Sequence, residues 1–214
     1  MHVKEIWRYP VKSMRGERVT ASNIATSGVA GDRRTVVVSA TAARLITART
    51  HPGLLGLQAS LDDEGGITIN GIPWDSAAAQ YLASEAAGEE VRLMDLDNDV
   101  SRFDVLPLLV ATDGAIQDLD LDGRRLRPNI VIGGVPGQTE RKWPGRLLRI
   151  GSVQIRVAQL RMRCVMTTFH PDTLEQDPNV LKRIVKKAGG RTALDCSVIS
   201  PGLIQVNDSA SVSD

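Results

Sequence analysis

Val3-Lys-Glu-Ile-Trp-Arg-Tyr-Pro-Val-Lys-Ser-Met-Arg-Gly16 begins as a strand and ends as a basic turn. Val3 to Tyr9 is β-rich, and Pro10 stops it, because proline fixes φ and has no amide donor for a ladder. The turn beyond Pro10 sets Lys12 and Arg15 beside Ser13 and Gly16. The same alternation of short apolar runs and turns continues outward. Glu17 to Ile24, Thr35 to Val38, Leu55 to Leu61 and Ile67 to Ile69 are β-rich. Gly28 with Gly31-Asp32, Pro52-Gly53 and Asp62-Asp-Glu-Gly-Gly66 punctuate them. Short strands at regular spacing predict a small barrel or sandwich. No crossover helix intervenes, so the pairing should be mostly antiparallel.

Asp75 or Ser76 can cap an alanine-rich helix that runs to Gly88, with Ala77, Tyr81, Leu82 and Ala86 roughly on one face. A strand is predicted at Val91 to Leu96. The acidic run Asp95-Leu-Asp-Asn-Asp99 then breaks the apolar pattern, and a boundary is placed there, dividing residues 1–95 from 96–214. The second half is again β-rich, at Leu108 to Ala111, Asn129 to Ile132, Leu147 to Ile150, Val153 to Val157, Leu194 to Ile199 and Leu203 to Val206. One helix should begin after Thr112 and carry Ile116 and Leu119. Another should run from Pro178 to Lys187, with Val180, Leu181, Ile184 and Val185 as its apolar stripe and Gly189-Gly190 as its stop. The small, polar tail from Asp208 should fray. The fold class read from this pattern is mostly β with a few helices (α+β).

Bulk properties remove several classes of function. The 214 residues are 42% hydrophobic and 24% charged, with a formal net charge of +1. Such a balance advertises neither a nucleic-acid nor a membrane partner. No apolar run approaches the ~18 residues needed to span a bilayer. The first residues do not read as a signal peptide, and two cysteines make no disulfide framework, so a cytoplasmic setting is expected.

Cys164 lies in Arg161-Met-Arg-Cys-Val-Met-Thr-Thr-Phe-His-Pro171. Strand-like alternation would put Arg161 and Arg163 on one face and Cys164 on the other. Cations near a thiol favour its thiolate, the form that binds metals, and Thr167 and Thr168 offer hydroxyls. Local chemistry fits a metallocofactor or anion site, and equally an inert core cysteine. Cys196, in Leu194-Asp-Cys-Ser-Val-Ile199, reads as the inside of a strand. His2, His51 and His170 have no zinc-like spacing. Three basic loops stand out: Pro10 to Gly16, Gly31-Asp-Arg-Arg34 and Leu126-Arg-Pro-Asn129. Each joins cations to accessible turn amides, a combination that suits phosphate. None is a G-x-G-x-x-G or Walker A pattern.

Taken in order, these segments resemble the MOSC family, in the branch with an added N-terminal β-barrel that includes the mitochondrial amidoxime-reducing component and its bacterial relatives. Tyr9 to Gly16, Gly31-Asp-Arg33, Ile46-Thr-Ala-Arg49, Arg127-Pro-Asn-Ile-Val-Ile132, Trp143 with Leu147 to Gly151, Arg163 to Asp172 and Pro201 to Asp208 carry the resemblance over nearly the whole chain. It implies an N-terminal β-barrel domain followed by a MOSC β-barrel domain. It implies a molybdenum cofactor, with Cys164 as the metal ligand and the catalytic residue. Lys12, Ser13, Arg33, Arg127 and Asn129 would hold the pterin and its phosphate, and Arg163 would line the same pocket. The implied activity is reduction of N-hydroxylated small molecules. Electrons would come from a separate donor protein of ferredoxin, flavin-reductase or cytochrome type, since no Cys-rich ferredoxin spacing is present. The family also carries an association with pyridoxal phosphate binding.

Several positions depart from the family pattern. Val105-Leu106 precedes Pro107 where relatives have a Thr-Ser pair, Asn207 replaces a glycine, His170 stands where Asp is frequent, and the chain is short around residues 60–105. Asp32, His170 and Asp172 adjoin the matching motifs and are the candidate acids or bases, Asp32 equally a turn cap. Two other functions use the same cysteine: a sulfur carrier bearing a Cys164 persulfide, and a cofactor-binding protein without turnover.

Overall fold

A computed structural model describes residues 1–96 and 102–213. Residues 97–99 of the acidic run lie outside the described residues. The first half forms β1 (His2–Arg8), β2 (Glu17–Val19), β3 (Ala21–Ala25), β4 (Gly28–Val29), β5 (Thr35–Ser39), β6 (Leu45–Ile46), β7 (Ala59–Leu61), β8 (Ile67–Ile69), β9 (Ile72–Pro73), helix α1 (Ala77–Ala87) and β10 (Val91–Asp95). The second forms β11 (Leu108–Thr112), α2 (Asp113–Asp118), β12 (Ile130–Gly133), β13 (Leu147–Ile150), β14 (Val153–Met162), α3 (Pro178–Ala188), β15 (Arg191–Ser200), β16 (Gly202–Gln205) and β17 (Ala210–Ser213). The expected class, mostly β with a few helices, is the class observed.

Eight strands make one sheet in the order β17-β13-β14-β15-β11-β12-β1-β2, antiparallel except between β11 and β12. His2 bridges Ser209, and the Ala210 amide donates to the Met1 carbonyl at 2.9 Å. These contacts bring the start of β1 beside the residues leading into β17, but among the described residues no ladder joins them, so the expected barrel is not closed. Three small sheets complete the fold: β10-β5-β6, β16-β3-β4 and β7-β8-β9. The apolar residues divide into two principal cores. Val3, Ile6, Leu108, Ile130, Ile155 and Leu194 fill the first, inside the large sheet. Val11, Met14, Val37, Leu54, Ile69 and Ala83 fill the second, under α1.

The stretch from Val3 to Gly16 crosses between these cores. Val3 and Ile6 are buried in one, Val11 and Met14 in the other. The turn that Pro10 begins is thus stitched down on both sides, and Lys12 and Ser13 stand at the seam. Burying each of these aliphatic side chains stabilises by roughly 1.5–3 kcal/mol, which fixes the seam on both sides.

Several elements differ from the sequence expectation. The Glu17 to Ile24 run splits after Val19, because β2 pairs with β1 while β3 pairs with β4 and β16. The Leu55 to Leu61 run opens as a 3-10 turn at Pro52–Gly56. There, a side chain on Gly53 would meet the Ala86 carbonyl oxygen at 2.3 Å. Helix α1 buries Ala79, Ala83 and Ala87 rather than the face through Tyr81, which is 63% exposed. The small residues let the helix lie close to the second core. Val185 of α3 is likewise exposed, and Val180, Ile184 and Ala188 form the buried stripe. The tail does not fray: β17 pairs along all of β13, and Ala210 is buried. Ser76 is the N-cap of α1, its hydroxyl accepting from the Ala79 amide at 3.2 Å. Ser76→Ala should lower stability by about 1 kcal/mol in urea unfolding. No helix of the described residues is long and apolar enough to cross a membrane.

Candidate functional site

Lys12, Ser13, Arg33, Arg127, Asn129, Arg163 and Cys164 line one cleft at the seam between the two cores. Strand β14 delivers the cysteine. It ends at Met162, and Cys164 is the N-cap of a 3-10 turn at Val165–Thr168. The Cys164 carbonyl accepts from the Thr167 amide at 3.1 Å and the Thr167 hydroxyl at 2.8 Å, leaving the half-buried thiol in the cleft. The expected alternation of Arg161 and Arg163 against Cys164 does not hold. The register of β14 on β15 shifts between Val157 and Gln159 and again between Leu160 and Met162. All three side chains therefore reach the same cleft.

The hydroxyls expected to serve the site do not. Thr167 and Thr168 are buried and turn back onto the carbonyls of Cys164 and Val165. His170 Nδ1 accepts from the amides of Asp172 and Thr173, and Asp172 pairs with Arg124 at 2.7 Å, so both shape a turn outside the cleft. Cys196 lies in the first core, and burial raises its thiol pKa, in keeping with an inert strand cysteine. Leu106 lines the cleft, whereas Val105 is 48% exposed and does not.

The cations are fixed by an unusual backbone. Ser13, Arg33 and Arg127 sit at φ of 74°, 50° and 54°, the left-handed region that side chains rarely adopt. Such strain persists where surrounding contacts over-determine it, and those contacts are visible here. Asp32 is fully buried, accepts from the Tyr9 amide at 2.8 Å and pairs with the Arg33 guanidinium, so it is a turn cap and an orienting group. The Arg33 amide donates to the Tyr9 carbonyl at 2.7 Å. The Arg33 and Arg127 guanidiniums both lie over the Tyr9 ring, 5.1 and 4.3 Å from its centre. Asn129 accepts from the Leu109 amide at 3.1 Å and from Arg33 at 3.3 Å, and donates to the Trp7 carbonyl at 3.4 Å. Its amide is largely committed to holding β1, β11 and Arg33 in place.

Sequence reasoning did not commit Arg49, Asp104, Arg125 or Arg161 to the site, yet all line the cleft. Asp104 is the hub. Lys12 approaches it at 3.1 Å, Arg49 at 2.6 Å and Arg161 at 3.8 Å. Burial opposes its ionisation, but Lys12, Arg49 and Arg161 hold its carboxyl below the usual range. Burial pulls Arg127 down to about 10, and pulls Arg163 to about 10 with help from repulsion by Arg161. Arg163 donates to the Leu126 carbonyl at 2.8 Å, and its buried Nε has no partner among the described residues. Asp104 in the cleft, with buried Asp32 on Arg33 and buried Asp195 on Arg161 behind it, balances only part of the charge of these cations. Because the Asp104 pKa is depressed on folding, its stabilisation is present above the unfolded value near 4 and is lost as pH falls through the folded value. Asp104→Asn should therefore be less stable than wild type at neutral pH. The gap should close on titration below about pH 4, tracked by urea midpoints.

Two family models together match nearly the whole chain: the MOSC N-terminal beta barrel domain over residues 1–104 and the MOSC domain over residues 109–211. The chain is 23% identical to mitochondrial amidoxime-reducing component 1 of Homo sapiens and 25% identical to mitochondrial amidoxime reducing component 2 of Macaca fascicularis. Each alignment spans 80% of this chain and 67% of the relative. Among solved structures, YuaD of Bacillus subtilis superposes with a TM-score of 0.53 at 13% identity, covering 99% of this chain and 94% of that one. The order of motifs, the two domain matches and the shared fold agree: the chain belongs to the MOSC family, in the branch that carries an N-terminal β-barrel domain.

Proposed function

We propose that the cleft holds a molybdenum-bearing pterin cofactor through Cys164, and that the protein reduces N-hydroxylated small molecules with electrons from a separate donor protein. The observation that carries this reading is the make-up of the cleft wall. Among the described residues, one half-buried thiol faces seven cationic side chains and a single carboxylate, Asp104. A thiolate is a soft donor that suits such a metal, and directed guanidinium and ammonium donors suit a phosphate. The residues present fit the group.

In this reading Cys164 is the metal ligand. Lys12, Ser13, Arg33 and Arg127 grip the phosphate and pterin, and Arg163, Arg161 and Arg49 surround the thiolate with positive charge. Asn129 is a positioning residue, since its amide already holds Arg33 and two backbone segments. Asp32 and Tyr9 keep Arg33 and Arg127 aimed at one place. When bound, the cofactor supplies oxygen-atom transfer, while the protein supplies placement and charge. Phe103, Leu106, Met162 and Met166 give the cleft an apolar side against which a substrate can pack. Electron delivery is assigned to a separate donor protein, since the residues present offer no Cys-rich ferredoxin spacing.

Metal and pterin analysis of protein purified from a host that makes the cofactor tests the reading. About one molybdenum per chain and reduction of benzamidoxime with an artificial donor are expected, Cys164 being the one thiol among the cleft residues. Absence of both sinks it. Leu106 favours one second reading, a binder without turnover, because an apolar side chain stands in the cleft where a hydroxyl was expected. Stoichiometric cofactor with no reduction of a panel of N-oxygenated substrates would select that reading.

A further inference from the structure

A second pocket shares a wall with the Cys164 cleft. Arg125, Arg127 and Met166 line both. Its other walls are aromatic and apolar: Trp7, Tyr9 and Phe169, with Leu55 and Pro171. Trp7 and Tyr9 lie two residues apart along one strand end, so their rings face the same way. Gly16 is essential to this wall, since a side chain there would meet the Tyr9 ring at 2.4 Å. The Trp7 indole donates to Glu5 at 2.7 Å, and Trp7 lines the pocket. Flat walls of this kind select a flat ligand.

The charges select its sign. Arg15 lines the pocket, and its Nε is buried without a partner among the described residues. Its backbone is pinned, the amide donating to Leu57 at 2.8 Å and the carbonyl accepting from Ala59 at 2.9 Å. The side chain is therefore presented from a fixed point. Arg125 donates only to the carbonyls of Thr167 and Thr168, and Arg127 stacks on Tyr9, so neither guanidinium is hydrogen-bonded to a carboxylate among the described residues. Asp172 is the one acidic group on the pocket wall among the described residues, and Arg124 already engages both of its oxygens, at 2.8 and 2.7 Å. Arg15, Arg125 and Arg127 thus line the pocket without a hydrogen bond to a carboxylate among those residues, although Arg15 lies near enough to Asp172 to help hold that carboxyl below the usual range. A buried guanidinium nitrogen without an acceptor is costly, and an anion in the pocket would remove that cost.

We infer that this pocket binds a planar aromatic carboxylate, its ring between Trp7 and Phe169 over a floor that includes buried Tyr9, and its anion on Arg15, as a ligand site separate from the Cys164 cleft. The site stands whether or not that cleft carries a metal. Arg125 and Arg127 are the charged points of contact between the two sites, because both residues line each pocket.

The test is calorimetric titration of the full chain, as purified, with 2-naphthoate and with its neutral amide. 2-Naphthoate should bind, and Arg15→Gln should weaken it by about tenfold or more, the worth of one charge-assisted hydrogen bond. The neutral amide should bind about tenfold more weakly than the acid for the same reason. Asp172→Asn, an exposed substitution that leaves the core alone, should tighten binding by removing the one negative charge on the wall. Lys12→Ala, in the neighbouring cleft, should leave the affinity for 2-naphthoate unchanged. The inference is overturned by absence of binding to wild type at millimolar concentration, by equal affinity for acid and amide, by weaker binding in Asp172→Asn, or by loss of binding in Lys12→Ala. Should Arg15→Gln fail to fold, the amide and Asp172→Asn arms still decide.

Discussion

Cys164→Ala is expected to yield a folded chain that carries no molybdenum and reduces no benzamidoxime. The structure predicts the intact fold. Cys164 supports its turn through its backbone carbonyl, and its half-buried thiol faces Arg49 across the cleft rather than packing in either core. Its removal should change stability by no more than about 0.5 kcal/mol, as for substitutions away from cavities and networks. The functional loss is a different matter. Disturbing groups that merely orient a metal ligand costs about 10–100-fold in affinity or activity, so deleting the ligand itself should cost more than about a hundredfold. Metal analysis, thermal denaturation and turnover on one preparation separate the two effects. Wild-type metal content or activity in Cys164→Ala would end the assignment. A sulfur adduct on wild-type Cys164 without pterin would point to the persulfide carrier instead.

The parts of the molecule that were legible in the sequence are those with a local physical cause. Pro10 ended a strand because it has no amide donor, and Gly88 and Gly189 ended helices because glycine takes the left-handed cap conformation without strain. The β-runs at Leu147 to Ile150 and Ile67 to Ile69 form strands with those bounds, since branched apolar residues between turns have few other options. Basic loops around Lys12, Arg33 and Arg127 were visible as loops, and their convergence with Cys164 on one cleft matches what the family resemblance implied. What was not legible depends on partners distant in the chain. The Asp104 hub joins Lys12, Arg49 and Arg161 across long separations, and nothing around Asp104 in sequence announces it. The left-handed backbone at Ser13, Arg33 and Arg127 is imposed by tertiary contacts on residues that would not choose it. The alternation argument for Arg161, Arg163 and Cys164 failed because β14 is irregular before Met162 and ends there, so Arg163 and Cys164 lie beyond the strand period. The tail strand formed because β13 offered an edge, a fact invisible from a polar C-terminus.

Asp195→Ala should be among the most destabilising substitutions in the chain, lowering stability by about 3–5 kcal/mol in urea unfolding at neutral pH, the cost of orphaning a buried charge. Asp195 is fully buried on β15, and its carboxylate pairs with the Arg161 guanidinium and accepts from Gln159 at 3.2 Å. Arg161 is mostly buried too, with Asp104 its next carboxylate at 3.8 Å. Losing Asp195 would free Arg161 toward Arg163, whose charge it already opposes. Arg161→Met removes the opposite partner and should cost a similar amount, because it leaves Asp195 unpaired. The double variant Asp195→Ala with Arg161→Met should cost clearly less than the two singles summed, since no charge is then stranded. Additivity, or a loss below about 1 kcal/mol for Asp195→Ala, would mean that the pair does not support the cleft wall. The double variant also separates stability from function. It restores much of the fold yet leaves the cleft one guanidinium poorer, so it should retain cofactor less tightly than wild type at equal foldedness. That loss would assign Arg161 to the grip of the site, and its absence would confine Arg161 to the wall behind it.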